Sequence, residues 1–136
     1  MSSVAQMSAG DVLDALQRAW KESAIIPELT ITDTRELYRE LEKGEEHGPL
    51  KRRIDALMFS PDGMRTAIEV KVNVADAKRE TWGKIRPWMM VVHRFVYAVP
   101  AGLIDRPPVG ADSSWSAASC GGGFCVHSCC MGASPA

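Results

Sequence analysis

The chain has 136 residues, of which 46% are hydrophobic and 24% charged, a composition that excludes a fibrous or wholly disordered protein and leaves room for one modest core, not two. No apolar run approaches the roughly 20 residues that cross a bilayer, and the opening MSSVAQMSAG has neither the basic patch nor the apolar stretch of a signal peptide, so a cytoplasmic protein without membrane contact is expected. The net charge of -1 hides opposed halves: residues 1–50 carry 5 Lys/Arg against 10 Asp/Glu, and residues 51–94 carry 10 against 5. The basic half is where a phosphate backbone would bind, although taken alone such charge blocks favour a solvated surface.

Ser8 is placed to cap a helix running to about residue 23, since Val12, Leu13, Leu16 and the Ala19/Trp20 pair recur at three- and four-residue spacing. Pro27 interrupts, and ELTIT (28–32) reads as a short strand with Leu29 and Ile31 on one side. Residues 33–50 read as an acidic insertion in which Leu37 and Leu41 line a short helix. The cluster Lys51, Arg52, Arg53 then leads into a strand, IDALMF, and Ser60-Pro61-Asp62-Gly63 is a turn that joins it to a second strand, RTAIEVKV.

From residue 73 to 92 the helical period returns, with Trp82, Ile85, Met89 and Val92 as its apolar stripe and Pro87 as the expected kink. RFVYAVP (94–100) is almost continuously apolar, which predicts a strand buried on both faces. Residues 1–106 are thus expected to form the folded domain, and residues 107–136, rich in Ser, Gly and Cys without regular period, a mobile tail. All four cysteines lie in that tail, so disulfides are not expected to organise the core.

The strand alternation in TAIEVKV puts Ile68, Val70 and Val72 on one face and Ala67, Glu69 and Lys71 on the other. A carboxylate and an ammonium two residues apart on the face opposite the apolar one require an explanation. The hairpin brings Asp55 toward Glu69, and two converging carboxylates make a hard-oxygen site for Mg2+ or Mn2+. Beside such a site Lys71 would orient a water and offset charge on a phosphorane-like transition state, the chemistry of phosphodiester hydrolysis. The bland alternative is a salt-bridged Glu69/Lys71 pair on an exposed sheet face.

RRIDALMFSPDG followed by AIEVKV resembles the Asp, turn, Glu-x-Lys signature of the PD-(D/E)XK nucleases, nearest to DNA-repair nucleases of the MmcB type, over residues 51–100. The resemblance implies an α/β fold, the restriction-endonuclease-like αβββαβ core with a central mixed sheet flanked by helices. It implies a Mg2+- or Mn2+-dependent nuclease acting on DNA in repair or recombination, with a homodimer as one possible assembly. It further implies a metal held by Asp55, Glu69 and the backbone carbonyl of Val70, with Lys71 at the attacking water and Lys84 on the next helix as an added catalytic group. Lys78 is the second choice there, and a solvated helix lysine is the alternative. Family members often supply one more acid: Glu28 is the choice, ahead of Asp11, Asp14 and Glu22. The Pro of the family motif is absent, Ile54 standing before Asp55.

Lys51, Arg52, Arg53, Lys78 and Lys84 are the expected nucleic-acid contacts, the phosphate backbone being their natural partner. Trp82 and Trp88 sit at helical spacing with Ile85 and Met89, which argues for Trp82 in the core over a base-stacking role. His93 adjoins the apolar strand and reads as structural. Cys120, Cys125, His127 and Cys129 supply enough soft ligands for one zinc ion, although their spacing matches no familiar finger. Two rivals to a nuclease follow: a nucleic-acid-binding protein without cleavage on the same fold, and a zinc-dependent interaction module centred on the tail.

Overall fold

The computed structural model describes residues 7–33, 51–109, 119–121 and 123–130, so the expected helix around Leu37 and Leu41 lies outside the described residues. The chain forms helix α1 (Ala9–Ala19), strands β1 (Ala24–Thr32), β2 (Lys51–Phe59) and β3 (Arg65–Val70), helices α2 (Val74–Lys78) and α3 (Trp82–Met89), and strands β4 (Arg94–Pro100), β5 (Ser119–Gly121) and β6 (Phe124–Cys130). It is a mixed α/β fold around one six-stranded sheet in the order β1-β2-β3-β4-β6-β5. β3 and β4 run parallel, and the other neighbours are antiparallel. The parallel pair requires a crossover, which α2 and α3 supply. Among the described residues no helix is long and apolar enough to cross a membrane.

α1 starts where its sequence says it should. The Ser8 hydroxyl accepts from the Asp11 N–H at 3.1 Å and the Asp11 carboxylate accepts from the Ser8 N–H at 2.9 Å, a reciprocal capping box. Its buried residues Val12, Ala15 and Leu16 pack with Ala56, Met58, Ile68, Val70, Val96, Ala98, Phe124 and Val126 on one face of the sheet. On the other face Ile85, Trp88 and Met89 of α3 pack with Ile54, Ala67, Phe95, Tyr97 and Cys129. The β2–β3 turn closes with Gly63 at φ +85°, its N–H donating to the Ser60 carbonyl, a conformation that favours glycine.

Three expectations are corrected. Residues 107–136 are not one mobile tail, because β6 pairs with β4 over all seven of its residues and holds Phe124, Val126 and Cys129 in the two cores. Period-two alternation was present in FCVHSCC but was masked by cysteine and serine, and cysteine is among the residues most often buried. The helical stretch is broken at 79–81, not at Pro87, which lies inside α3. Trp82 is 48% exposed at the first position of α3, so it is not a core residue; Trp88, one face round, is 2% exposed and fills that place.

Candidate active site

The site arises from a face switch in the sheet. In β2, Ala56 and Met58 pack toward α1, whereas Ile54 packs toward α3. In β1, Ile25 packs toward α1 and Leu29 and Ile31 toward α3. Simple alternation would keep residues of equal parity on one face, so both strands turn over between these points, at Glu28 and Asp55, which face each other across an interruption in the β1–β2 register. Glu28 absorbs the turn with φ 56°, a left-handed conformation that costs a non-glycine residue roughly 1 kcal/mol or more.

The consequence for Asp55 follows directly. Its neighbours 54 and 56 occupy opposite faces, so its carboxylate goes to neither and lies near the sheet plane. β2–β3 pairing ends at Ala56 opposite Ile68, and past that point Asp55 takes over as acceptor, its Oδ2 receiving the Val70 N–H at 2.7 Å. A backbone amide that would otherwise lose its strand partner is thereby satisfied.

Glu69 and Lys71 point to the α3 side, as the alternation predicts. Lys71 Nζ lies 3.6 Å from Glu69 Oε1 and 3.1 Å from Glu80 Oε2. Glu80, from the break between α2 and α3, is buried. Nothing in the sequence marked it, since a glutamate between Arg79 and Thr81 reads as a solvated loop residue. Tyr97 stands opposite Glu69 on β4 and is fully buried.

Electrostatics set the protonation of this cluster. Burial, followed by the Asp55 charge, pushes the Glu69 carboxyl from its ordinary 4.5 up to about 8; Lys71 opposes this, and Glu80 and a hydrogen bond with Asp55 add to it. For Lys71 burial is the largest influence and acts downward, but the Glu80 hydrogen bond and the charges of Glu80, Glu69 and Asp55 outweigh it, so the ammonium is held above its usual range. Lys71 is therefore a fixed cation at neutral pH and not a proton acceptor. Burial, with Glu80 and Glu69 adding, also raises the Tyr97 phenol and keeps it neutral.

Glu69, Lys71 and Glu80 line one wall of a cavity of about 240 Å3, and Asp55 and Tyr97 stand behind it. Lys51, Arg52 and Arg53 of β2 and Lys84 of α3 line it, with Ile54, Ile85, Trp88 and Phe95 completing its walls. Asp33, at the end of β1, is buried and lies 3.9 Å from Arg52 Nε and 3.7 Å from an Arg86 guanidinium nitrogen.

The remaining sequence candidates are dispersed. Lys78 is exposed at the end of α2 and does not line the cavity. Glu28 is exposed on the edge strand and makes no hydrogen bond or ion pair to the cluster among the described residues. Asp11 is exposed and committed to its cap, and Asp14 and Glu22 are exposed. His93 has the structural role expected of it, its Nδ1 accepting from the Arg65 N–H at 2.9 Å.

Among the described residues the zinc set is not gathered at one point. Cys125 is disulfide-bonded and offers no thiolate. Cys125, His127 and Cys129 follow one another along an extended strand, so the outer two lie roughly 13 Å apart along it and all three cannot converge on one ion. His127 is buried, and desolvation pushes its pKa below the ordinary value despite the Asp105 charge.

Among the described residues no three His, Cys, Asp or Glu groups are gathered as a metal site. The smaller set of Asp55, Glu69 and the Val70 carbonyl supplies only oxygens, the donor type that Mg2+ and Mn2+ prefer. A carboxyl forced up to about 8 beside a second carboxyl is a site short of positive charge, so the residues present fit a divalent cation. No protein family, curated protein or solved structure matches the chain.

Proposed function

We propose that the protein is a divalent-metal-dependent nuclease that hydrolyses phosphodiester bonds in DNA, built on a restriction-endonuclease-like core. One observation carries this: Asp55, Glu69 and Lys71 meet at the point where β2 and β3 part, beside a cavity walled by Lys51, Arg52, Arg53 and Lys84. The order α1, β1, β2, β3, α2/α3, β4 agrees with that core, as does the parallel β3–β4 pair.

Asp55, Glu69 and the Val70 carbonyl would hold Mg2+ or Mn2+, which when bound lowers the pKa of a coordinated water and polarises a phosphate oxygen. Asp55 is fixed for that role by the Val70 N–H, at 2.7 Å. Lys71, a permanent cation, positions a water by donating to it and offsets charge that accumulates on the phosphoryl oxygens. Glu80 keeps the Lys71 ammonium in place at 3.1 Å and is a positioning residue. The cationic wall holds the strand by its phosphates, which explains a basic central segment in a chain of nearly neutral charge.

The test is a cleavage panel of supercoiled plasmid, single-stranded and branched DNA with Mg2+ or Mn2+. Asp55→Ala and Lys71→Ala are each expected to lower the cleavage rate by about a hundredfold or more. Cleavage undiminished in Asp55→Ala overturns the site. DNA affinity that persists in chelator, with no cleavage under any metal, establishes the rival binding protein instead.

A further inference from the structure

Trp82 is a large aromatic side chain that the packing leaves over. It is 48% exposed at the first position of α3 and belongs to neither core cluster among the described residues, the core place being taken by Trp88. A single exposed apolar residue needs no explanation in itself, so its surroundings decide. Glu80, two residues before it, and Lys84, two residues after it, both line the cavity. Consecutive Cα atoms are about 3.8 Å apart, so the Trp82 backbone lies within about 7.6 Å of each and stands at the cavity rim. The side of α3 that carries the indole also carries Ile85 at the i+3 position, and Ile85 lines the cavity as well.

Gly83 adds an independent observation. A glycine in a helix is less favourable than alanine, and it is ordinarily retained for a positive φ or for a close approach. Gly83 has no positive φ, and among the described residues a Cβ built on it would meet nothing within 4 Å. The surface beside the indole is thus open backbone, room that the described chain does not use and that a flat ligand lying on the ring would use. Cations accompany it. Lys78 and Arg79 precede Trp82 and are exposed, and Lys84 follows it and shares the cavity with Lys51, Arg52 and Arg53. An aromatic ring set among cations is the chemistry that holds a single strand, the cations tracking its phosphates and the ring stacking a base. Paired bases present their edges in the grooves, their faces being covered by their neighbours, so a ring platform takes an unpaired base.

We infer that Trp82 is a stacking platform for an unpaired nucleobase, with Gly83 leaving the approach open, so that the strand presented to Asp55, Glu69 and Lys71 is single-stranded or locally unpaired DNA. The inference rests on the nuclease reading for its strand, but its test requires no cleavage. Three probes of equal length are titrated by fluorescence anisotropy against the full chain in chelator: an oligothymidylate, an abasic strand with the same phosphates and no bases, and the oligothymidylate paired with its complement.

The oligothymidylate is expected to bind about tenfold more tightly than the abasic strand, the effect of one base stacked on an aromatic ring. Trp82→Ala should bring the oligothymidylate down to the abasic affinity while leaving the abasic strand, the duplex and the salt dependence unchanged. Trp82→Tyr should restore most of the preference. Because the side chain is exposed, these replacements should leave the thermal melt in place. If Trp82→Ala nevertheless fails to fold, Gly83→Leu decides: it fills the open space without entering the core and should weaken the oligothymidylate alone. Equal affinity of the parent for the base-bearing and abasic strands overturns the proposal. So does a parallel loss for all three probes in Trp82→Ala, which marks a structural role and not a platform. A chain that binds the oligothymidylate through Trp82 but cleaves nothing with Mg2+ or Mn2+ upholds the platform while the hydrolytic function fails. Cleavage by a chain without the base preference leaves the nuclease reading standing and overturns the platform.

Discussion

Glu69 is the residue on which most of the chemistry converges, and its environment opposes its own ionisation. A carboxyl whose folded pKa of about 8 exceeds the ordinary 4.5 imposes no penalty below about 4.5, where it is protonated in both states. Between the two values the unfolded chain ionises and the folded one does not, so stability falls as pH rises and the full loss is present above about 8. The penalty is on the order of a few kcal/mol. Glu69→Gln is accordingly expected to remove most of this slope and to melt higher than the parent at pH 8, while cleavage is lost. Mn2+ should flatten the parent's slope by favouring the ionised form and releasing a proton. Thermal melts at pH 5, 6.5 and 8, with and without Mn2+, provide the check; a parent curve that climbs toward pH 8 in chelator contradicts the assigned burial of Glu69.

The elements show which parts of this arrangement were legible and which were not. Local signals were sufficient for α1, whose capping box spans only Ser8 to Asp11, and for the β2–β3 hairpin, whose turn is spelled by Pro61, Asp62 and Gly63. Alternation alone sent Glu69 and Lys71 to the right face. The hairpin also brought Asp55 to Glu69, with which it shares a hydrogen bond, while the turn-over opposite Glu28 went unread, being a property of two paired strands with no sign in either one. Glu80 escaped for a related reason: its burial accompanies the packing of α3 on β1 and β2, contacts remote in sequence. β6 was lost to composition. A direct consequence is that deletion of residues 111–136 should not be silent. It removes every partner of β4 on one side and empties the positions of Phe124 and Val126, so cooperative thermal unfolding is expected to vanish by circular dichroism. Phe124→Ala alone should cost about 3 kcal/mol in urea denaturation. A deleted chain that melts cooperatively near the parent temperature excludes β6 from the core.

At the scale of the whole molecule the two faces of the sheet have different tasks. The α1 face is closed by apolar side chains, while on the α3 face the packing opens into the cavity where β2 and β3 separate. Charge follows the same division, since five of the 10 Lys/Arg in residues 51–94 line the cavity, Lys71 within the acidic cluster and Lys51, Arg52, Arg53 and Lys84 on the wall beside it. Binding through those four would release counterions from the strand. On single-stranded DNA each phosphate contact contributes about 0.7 to the slope of log affinity against log salt, so four contacts predict a slope of roughly -3. Lys51 and Arg53 are exposed at the rim, and replacing both by alanine should reduce that slope by roughly 1.4 without moving the melting temperature by more than a degree or two. Anisotropy titrations in chelator between 50 and 200 mM salt measure both slopes. A parent slope near zero places the strand elsewhere on the molecule. A parent slope near -3 that the double variant leaves unchanged assigns the contacts to other cations, and the exposed Lys78 and Arg79 beyond the cavity then become the candidates.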